Sequence, residues 1–265
     1  MKKCFWVMTL LLALLLMLAG NSSAGPVMDR ITKKGELVVG ITGTQPPLNM
    51  TTKENEIIGY DADISRLIAV NMGVKLRYAR FPFPELMPAL EAGKVDVVIS
   101  SMTITPDRNL KVAFVGPYYI SGKGILAKAA TAFAVQTEGL NKPNLRIAAL
   151  KASTSAFFVE KAAPKAKLVQ TQSYDEAVDL LFQDKIDALI ADYPFCAYSS
   201  IRYKDKGLVS GESRLTYEPL GIALQEDALM MNWLENLLRA LEGAGELNRL
   251  SDKWFKDVSW MKQLP

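Results

Sequence analysis

Gly93-Lys94-Val95-Asp96-Val97-Val98-Ile99-Ser100-Ser101-Met102-Thr103-Ile104-Thr105-Pro106-Asp107-Arg108 is an apolar run, then a set of small hydroxyls, then a helix start. Val95 to Ile99 is apolar except for Asp96, the pattern of a strand buried on both faces. Ser100, Ser101 and Thr103 follow where that strand surfaces. Thr105 reads as an N-cap, Pro106 as the first helical residue and Asp107 as a first-turn acid, with Arg108 in the same turn. One strand end thus brings hydroxyls, free backbone N–H groups and a guanidinium together. These are the parts of a carboxylate receptor, because a guanidinium grips a carboxylate with two parallel hydrogen bonds. The plainer alternative is a surface turn in which Arg108 forms an ordinary ion pair.

The same text returns further on. Glu91 to Ser101 can be laid over Phe182 to Asp192, which matches Lys94 to Lys185, Asp96 to Asp187 and Ser101 to Asp192. Each copy sits in a matching series. Leu37 to Ile41 reads as a strand, Thr42 to Asn49 as a loop, and Gly59-Tyr60-Asp61 opens a helix that ends at Gly73. Lys75 to Phe81 alternates like a strand, and Pro84 to Ala92 reads as a helix. In the second series Leu145 to Leu150 is a strand, Ser153 to Ala163 a helix and Lys167 to Val169 a strand start. Ser173-Tyr174-Asp175-Glu176 is a capping box ahead of a helix, and Ile186 to Ala191 a strand. Strands alternating with helices of this length predict βαβ units and two mostly parallel sheets, each flanked by helices. Ligands of open α/β sheets bind outside the carboxyl ends of the strands. Two facing lobes would therefore bring Ser101 and Asp192 to one cleft. The tail carries an apolar face of Leu229, Trp233, Leu234, Leu237, Leu238 and Leu241, read as core.

Composition narrows the function. Lys2 and Lys3 precede an apolar run from Cys4 to about Ala19, and Asn21-Ser22-Ser23-Ala24 offers small residues for cleavage. This is the order of a secretory signal over residues 1–24, and the run is short for a membrane span; an uncleaved anchor is the alternative. Cleavage would leave 29 basic against 28 acidic residues, a net charge of +1. That balance argues against nucleic acid or an anionic membrane surface as partner. It would also leave Cys196 as the lone cysteine, so no internal disulfide forms. The chain has no His, which removes His-based acid–base chemistry and His-ligated metal sites.

The ordered segments Gly59-Tyr60-Asp61-Ala62-Asp63, Gly93-Lys94-Val95-Asp96, Ser101 through Arg108, Pro117-Tyr118-Tyr119, Ser153-Thr154-Ser155, Ala191-Asp192, Gly221-Ile222-Ala223 and Lys253-Trp254-Phe255 resemble the extracytoplasmic solute-binding proteins of ABC importers, in the polar amino-acid branch. The resemblance covers nearly all of the chain after residue 24. It implies a type II periplasmic-binding-protein fold with two hinge crossings: residues 26–123 plus 216–265 as lobe 1 and 124–215 as lobe 2. It implies a periplasmic monomer that binds an amino acid or similar zwitterion by hinge closure and delivers it to a membrane permease, with no cofactor and no metal.

By the same resemblance Arg108 holds the ligand carboxylate, with Ser100, Ser101 and Thr103 beside it and Ser153 and Thr154 facing it. Asp192 holds the ammonium, and Phe83 packs on the ligand side chain. The physical readings leave alternatives open. Thr154 sits at a helix start, where free N–H groups favour an anion, or is simply an N-cap. Asp192 is a ligand group or a cap for the helix after Pro194. Phe83 is a ligand wall or core. Thr42 and Gln45 complete the expected ligand site; basic amino-acid binders of this kind carry an acid at the position of Thr42 and an aromatic near Gln45, and this chain has neither, which weakens the case for Lys or Arg as ligand. A sensor that hands its closed form to a receptor is an alternative function. A second alternative is a cyclohexadienyl dehydratase-like enzyme, but its acid would fall at Phe195, and a phenyl ring is no general acid.

Overall fold

The computed structural model describes residues 25–211 and 213–265, so the expected signal segment lies outside the described residues. The chain opens with α1 (Pro26–Lys34), β1 (Glu36–Ile41), β2 (Thr44–Gln45), β3 (Asn49–Thr51) and β4 (Ile57–Ile58). Then come α2 (Tyr60–Met72), β5 (Lys75–Arg80), α3 (Phe83–Glu91), β6 (Val97–Val98), the short α4 (Pro106–Asn109) and β7 (Ala113–Ser121). The chain passes at Gly122 into β8 (Lys123–Lys128), α5 (Ala129–Glu138), β9 (Arg146–Leu150), α6 (Thr154–Ala162), β10 (Lys167–Thr171), α7 (Tyr174–Phe182), β11 (Ala188–Asp192), α8 (Tyr193–Arg202) and β12 (Leu208–Ser210). It returns as β13 (Glu218–Leu224), continues through α9 (Ala228–Gly243) and α10 (Glu246–Ser251), and closes with two short helical turns at Asp252–Lys256 and Ser259–Gln263.

The two large sheets have strand orders β5-β1-β6-β13-β7 and β10-β9-β11-β8-β12. In each, the order is second, first, third, the strand arriving from the other lobe, then fourth. That visiting strand, β13 or β8, pairs antiparallel with both neighbours, while the first three pair parallel. This is the two-lobed type II arrangement. Residues expected as a loop, 42–49, contain β2 and the start of β3, which with β4 form a small third sheet. Pro46-Pro47 hid this hairpin, because prolines punctuate strand patterns. The passage at Gly122 makes Lys123 the first residue of the second sheet, one position earlier than expected.

The repeat is reproduced hydrogen bond by hydrogen bond. Lys94 N donates to Ala89 O at 2.9 Å, and Lys185 N to Leu180 O at 3.0 Å. Between them Gly93 and Asp184 both hold a positive φ, +67° and +53°. Asp96 Oδ2 accepts Val38 N of β1 at 2.7 Å, and Asp187 Oδ2 accepts Arg146 N of β9 at 2.7 Å. Each Asp also pairs with an arginine, Arg30 from α1 in lobe 1 and Arg146 itself in lobe 2. The repeated Asp is thus a clamp that joins the third strand to the start of the first, and it serves the fold rather than a ligand.

In α9 the buried stripe is Met230, Leu234 and Leu238, so Leu229, expected in the core, is instead 47% exposed. It lies one residue off a stripe spaced at four, which turns it away from the core. Trp254 does pack inside, and its Nε1 donates to Asp63 at 2.8 Å.

Candidate ligand site between the lobes

The carboxyl ends of β6 and β11 face one another, and the expected site residues gather there with different partners than their sequence suggests. Thr105 caps α4, its side chain accepting Arg108 N at 3.2 Å. That cap aims Arg108 back toward the cleft. Its guanidinium donates to Thr103 O at 2.9 Å and, across the cleft, to Ala152 O at 3.2 Å. It also lies over the Phe83 ring, 5.7 Å from the centroid. Burial pushes the Arg108 pKa down, and the charges on Asp192 and Glu218 act against that shift. Thr103 and Thr154 meet across the cleft, Oγ1 to Oγ1 at 3.4 Å.

Ser153 is the N-cap of α6. Its hydroxyl accepts Ala156 N at 3.2 Å and donates to Leu150 O at 2.5 Å. The hydroxyl expected to face a ligand is therefore consumed by the helix start, and Thr154, the first helical residue, presents its side chain instead. Ser100 is fully buried, and its hydroxyl accepts Thr42 N at 3.0 Å. Ser101 adopts φ +54° and turns inward, donating to Asp61 from N at 2.9 Å and from Oγ at 3.2 Å. Its side chain supports the cleft floor from behind, a correction to its expected place beside the ligand.

Asp61 is a part of the site that sequence reasoning missed. It reads as an ordinary first-turn acid of α2, yet it is fully buried and accepts bonds from Asn49 Nδ2 (2.7 Å), Tyr118 Oη (2.8 Å) and Ser101. Burial raises its pKa to about 6, and those bonds restrain the rise. Asn49 continues the chain, its Oδ1 accepting Thr42 Oγ1 at 2.7 Å and Gly43 N at 2.8 Å. Thr42 and Ser101 are thus both braced by one buried carboxylate.

Asp192 makes no side-chain cap for α8. Its Oδ1 accepts the Lys123 ammonium at 2.9 Å, with both side chains almost wholly buried. Lys123 Nζ also lies 3.6 Å from Glu218 Oε2. Neither Lys123 nor Glu218 figured among the expected site residues. The Gly-Lys pair after the Tyr-Tyr run was the available signal, since a lysine opening a buried strand must find a carboxylate.

Between the lobes lies a cavity of about 340 Å³ lined by Thr42, Gln45, Arg80, Phe81 and Phe83 of the first lobe and Tyr174 of the second. The Tyr174 hydroxyl, hydrogen-bonded to Gln45 of the opposite lobe, is pushed well above the usual phenol range by burial. Phe83 shares one apolar cluster with Leu150, Tyr174 and Phe195 of the second lobe. Phe83 is core where the lobes touch, and its ring also lines the cavity.

The profile of the bacterial extracellular solute-binding proteins, family 3, matches residues 37–257. The chain is 29% identical over 225 residues to the ABC transporter arginine-binding protein 1 of Escherichia coli K12, covering 82% of this chain and 89% of that one. Its fold is similar to the crystal structure of an ancestral amino acid-binding protein described as a precursor of cyclohexadienyl dehydratase (34% identity, TM-score 0.80, 86% of this chain and 99% of that one). It is similar to the same degree in fold to a putative binding component of an ABC transporter from Wolinella succinogenes complexed with lysine (33% identity, TM-score 0.80, 86% and 99% covered). With both sheets in the type II order and the profile spanning both lobes, the chain belongs to the bacterial extracellular solute-binding proteins, family 3.

Proposed function

We propose that this protein captures an α-amino acid in the periplasm by closure of its two lobes and delivers it to the permease of an ABC importer. The observation that carries the reading is Arg108, which reaches from α4 of one lobe to Ala152 O just before α6 of the other. A guanidinium beside the N-terminus of α6 and two facing threonines suits a carboxylate from both sides. Such contacts form only when the lobes meet, so the ligand gains affinity for the closed state alone, which is what drives closure. Asp192 at the other end supplies the anion for an ammonium. The protein would work as a monomer, with its lobes as the moving parts.

The ligand's side chain would enter the cavity beside Phe83. Among the described residues no carboxylate lines that cavity, and Arg80 does, so a neutral or acidic side chain fits better than a cationic one. This sets the chain apart from the arginine-binding and lysine-bound relatives. Isothermal calorimetry against the standard L-amino acids and L-cystine tests the reading. At least one neutral or acidic amino acid should bind with micromolar or tighter Kd, more tightly than L-arginine or L-lysine. No binding by any of them overturns amino-acid capture, and preference for L-arginine overturns the side-chain assignment.

Dehydratase chemistry has no support at the position where its acid would stand. Phe195 is buried there and stacks on Tyr174 with ring centroids 4.3 Å apart.

A further inference from the structure

The hinge holds one buried ammonium between two buried carboxylates. Lys123, Asp192 and Glu218 are 2%, 4% and 7% exposed. Lys123 and Asp192 are direct partners in the β8–β11 pairing, so their ion pair lies within the second lobe. Glu218 opens β13 in the first sheet, opposite Ser121. A bond from Lys123 to Glu218 would therefore span the two lobes.

Glu218 is already turned toward that bond. Its Oε1 accepts Thr216 Oγ1 at 3.1 Å, and Thr216 Oγ1 in turn accepts Lys123 N at 3.0 Å. Its Oε2 is buried, 3.6 Å from Lys123 Nζ, and accepts no hydrogen bond among the described residues. A buried carboxylate oxygen left without a donor is costly, and a short shift of Nζ would satisfy it. The crossings are also close enough to transmit that shift: a Cβ built on Gly122 would come within 2.4 Å of Thr216 O.

We propose that Lys123 is a ligand-driven hinge latch. In the ligand-free protein it neutralises Asp192. When an amino acid delivers its own ammonium to Asp192, Lys123 moves from Asp192 onto Glu218, already 3.6 Å away, and its close ion pair passes from within one lobe to between the two. The ligand's ammonium thus gives the hinge a second cation for its second carboxylate, and the hinge locks as two neutral pairs. A carboxylate lacking the ammonium fills the Arg108 end but leaves the latch unmoved. This inference rests on the amino-acid reading above.

The test compares the wild type, Glu218→Gln and Lys123→Met/Glu218→Gln by calorimetry. The probes are the best-bound of the standard L-amino acids and its 2-hydroxy analogue. Glu218→Gln keeps the Lys123–Asp192 pair, and the double variant removes one charge of each sign, so neither leaves an added unpaired charge in the hinge. Glu218→Gln should weaken the amino acid by at least about tenfold, since the displaced lysine has no charged acceptor. Its affinity for the 2-hydroxy analogue should stay within about twofold of the wild type's. The double variant should regain wild-type or tighter amino-acid affinity, because nothing then competes for Asp192. An unchanged Glu218→Gln, an equal loss for the 2-hydroxy analogue, or a double variant no better than the single overturns the latch. If the wild type binds no amino acid at all, the capture reading itself fails and takes the latch with it.

Discussion

Ser101 donates its backbone N–H to Asp61 at 2.9 Å, and this bond ties the end of the third strand to a carboxylate buried beneath the cleft. All of the Asp61 partners, Asn49, Ser101 and Tyr118, can donate, so the ionised form is the one they serve. Desolvation nevertheless dominates, and its pKa is about 6 instead of 3.8. A raised acid pKa means that the folded state holds the proton more tightly than the unfolded one. The stability contribution of Asp61 is therefore fully present below the unfolded pKa and is lost as pH rises through about 6. Urea unfolding of the wild type and Asp61→Asn from pH 4 to pH 8 checks this. The wild type should lose roughly 2–3 kcal/mol relative to the variant across that range, and a flat difference would refute the assignment.

Arg108 and Asp192 sit at opposite ends of the proposed ligand, and each is half of a charge contact that capture would bury. Arg108→Ala and Asp192→Ala should each cost roughly 2–5 kcal/mol of amino-acid affinity. In calorimetry both should read as loss of micromolar binding. Near-normal affinity in both would remove these residues from the site.

Asp96 and Asp187 do one job at two levels of burial. The Asp96 side chain is 6% exposed and that of Asp187 25%. Asp96→Ala would strand Val38 N and the Arg30 guanidinium, and should destabilise the fold by roughly 2–4 kcal/mol. Asp187→Ala should cost about 1 kcal/mol, since water reaches Arg146. Denaturant midpoints give the order. The same variants should leave ligand affinity unchanged, which separates the clamp from the binding site.

Phe83 supports Arg108 through its ring face at 5.7 Å. Phe83→Leu keeps an apolar wall but removes that face, and should weaken amino-acid binding by roughly 0.5–2 kcal/mol. Calorimetry reads this as a several-fold rise in Kd. A thermal melt taken alongside should show the variant folded.

Much of the architecture is legible in the chain. Strand and helix periods, the Thr-Pro-Asp cap and the repeat around Asp96 and Asp187 depend on neighbours a few residues away, so sequence alone specifies them. They determine two α/β lobes, matching strand ends and an arginine poised at one of them. Tertiary structure decided which charges meet. Lys123 lies 69 positions from Asp192, and Ser101 lies 40 from Asp61. The Gly122-Lys123 pair signals that some carboxylate is needed, but which partner each residue takes has no local signature, because each contact exists only once β8 has registered against β11 or α2 has packed under the sheet. Burial then makes those distant pairings obligatory, since a carboxylate or ammonium taken out of water must take whatever partner the fold brings to it.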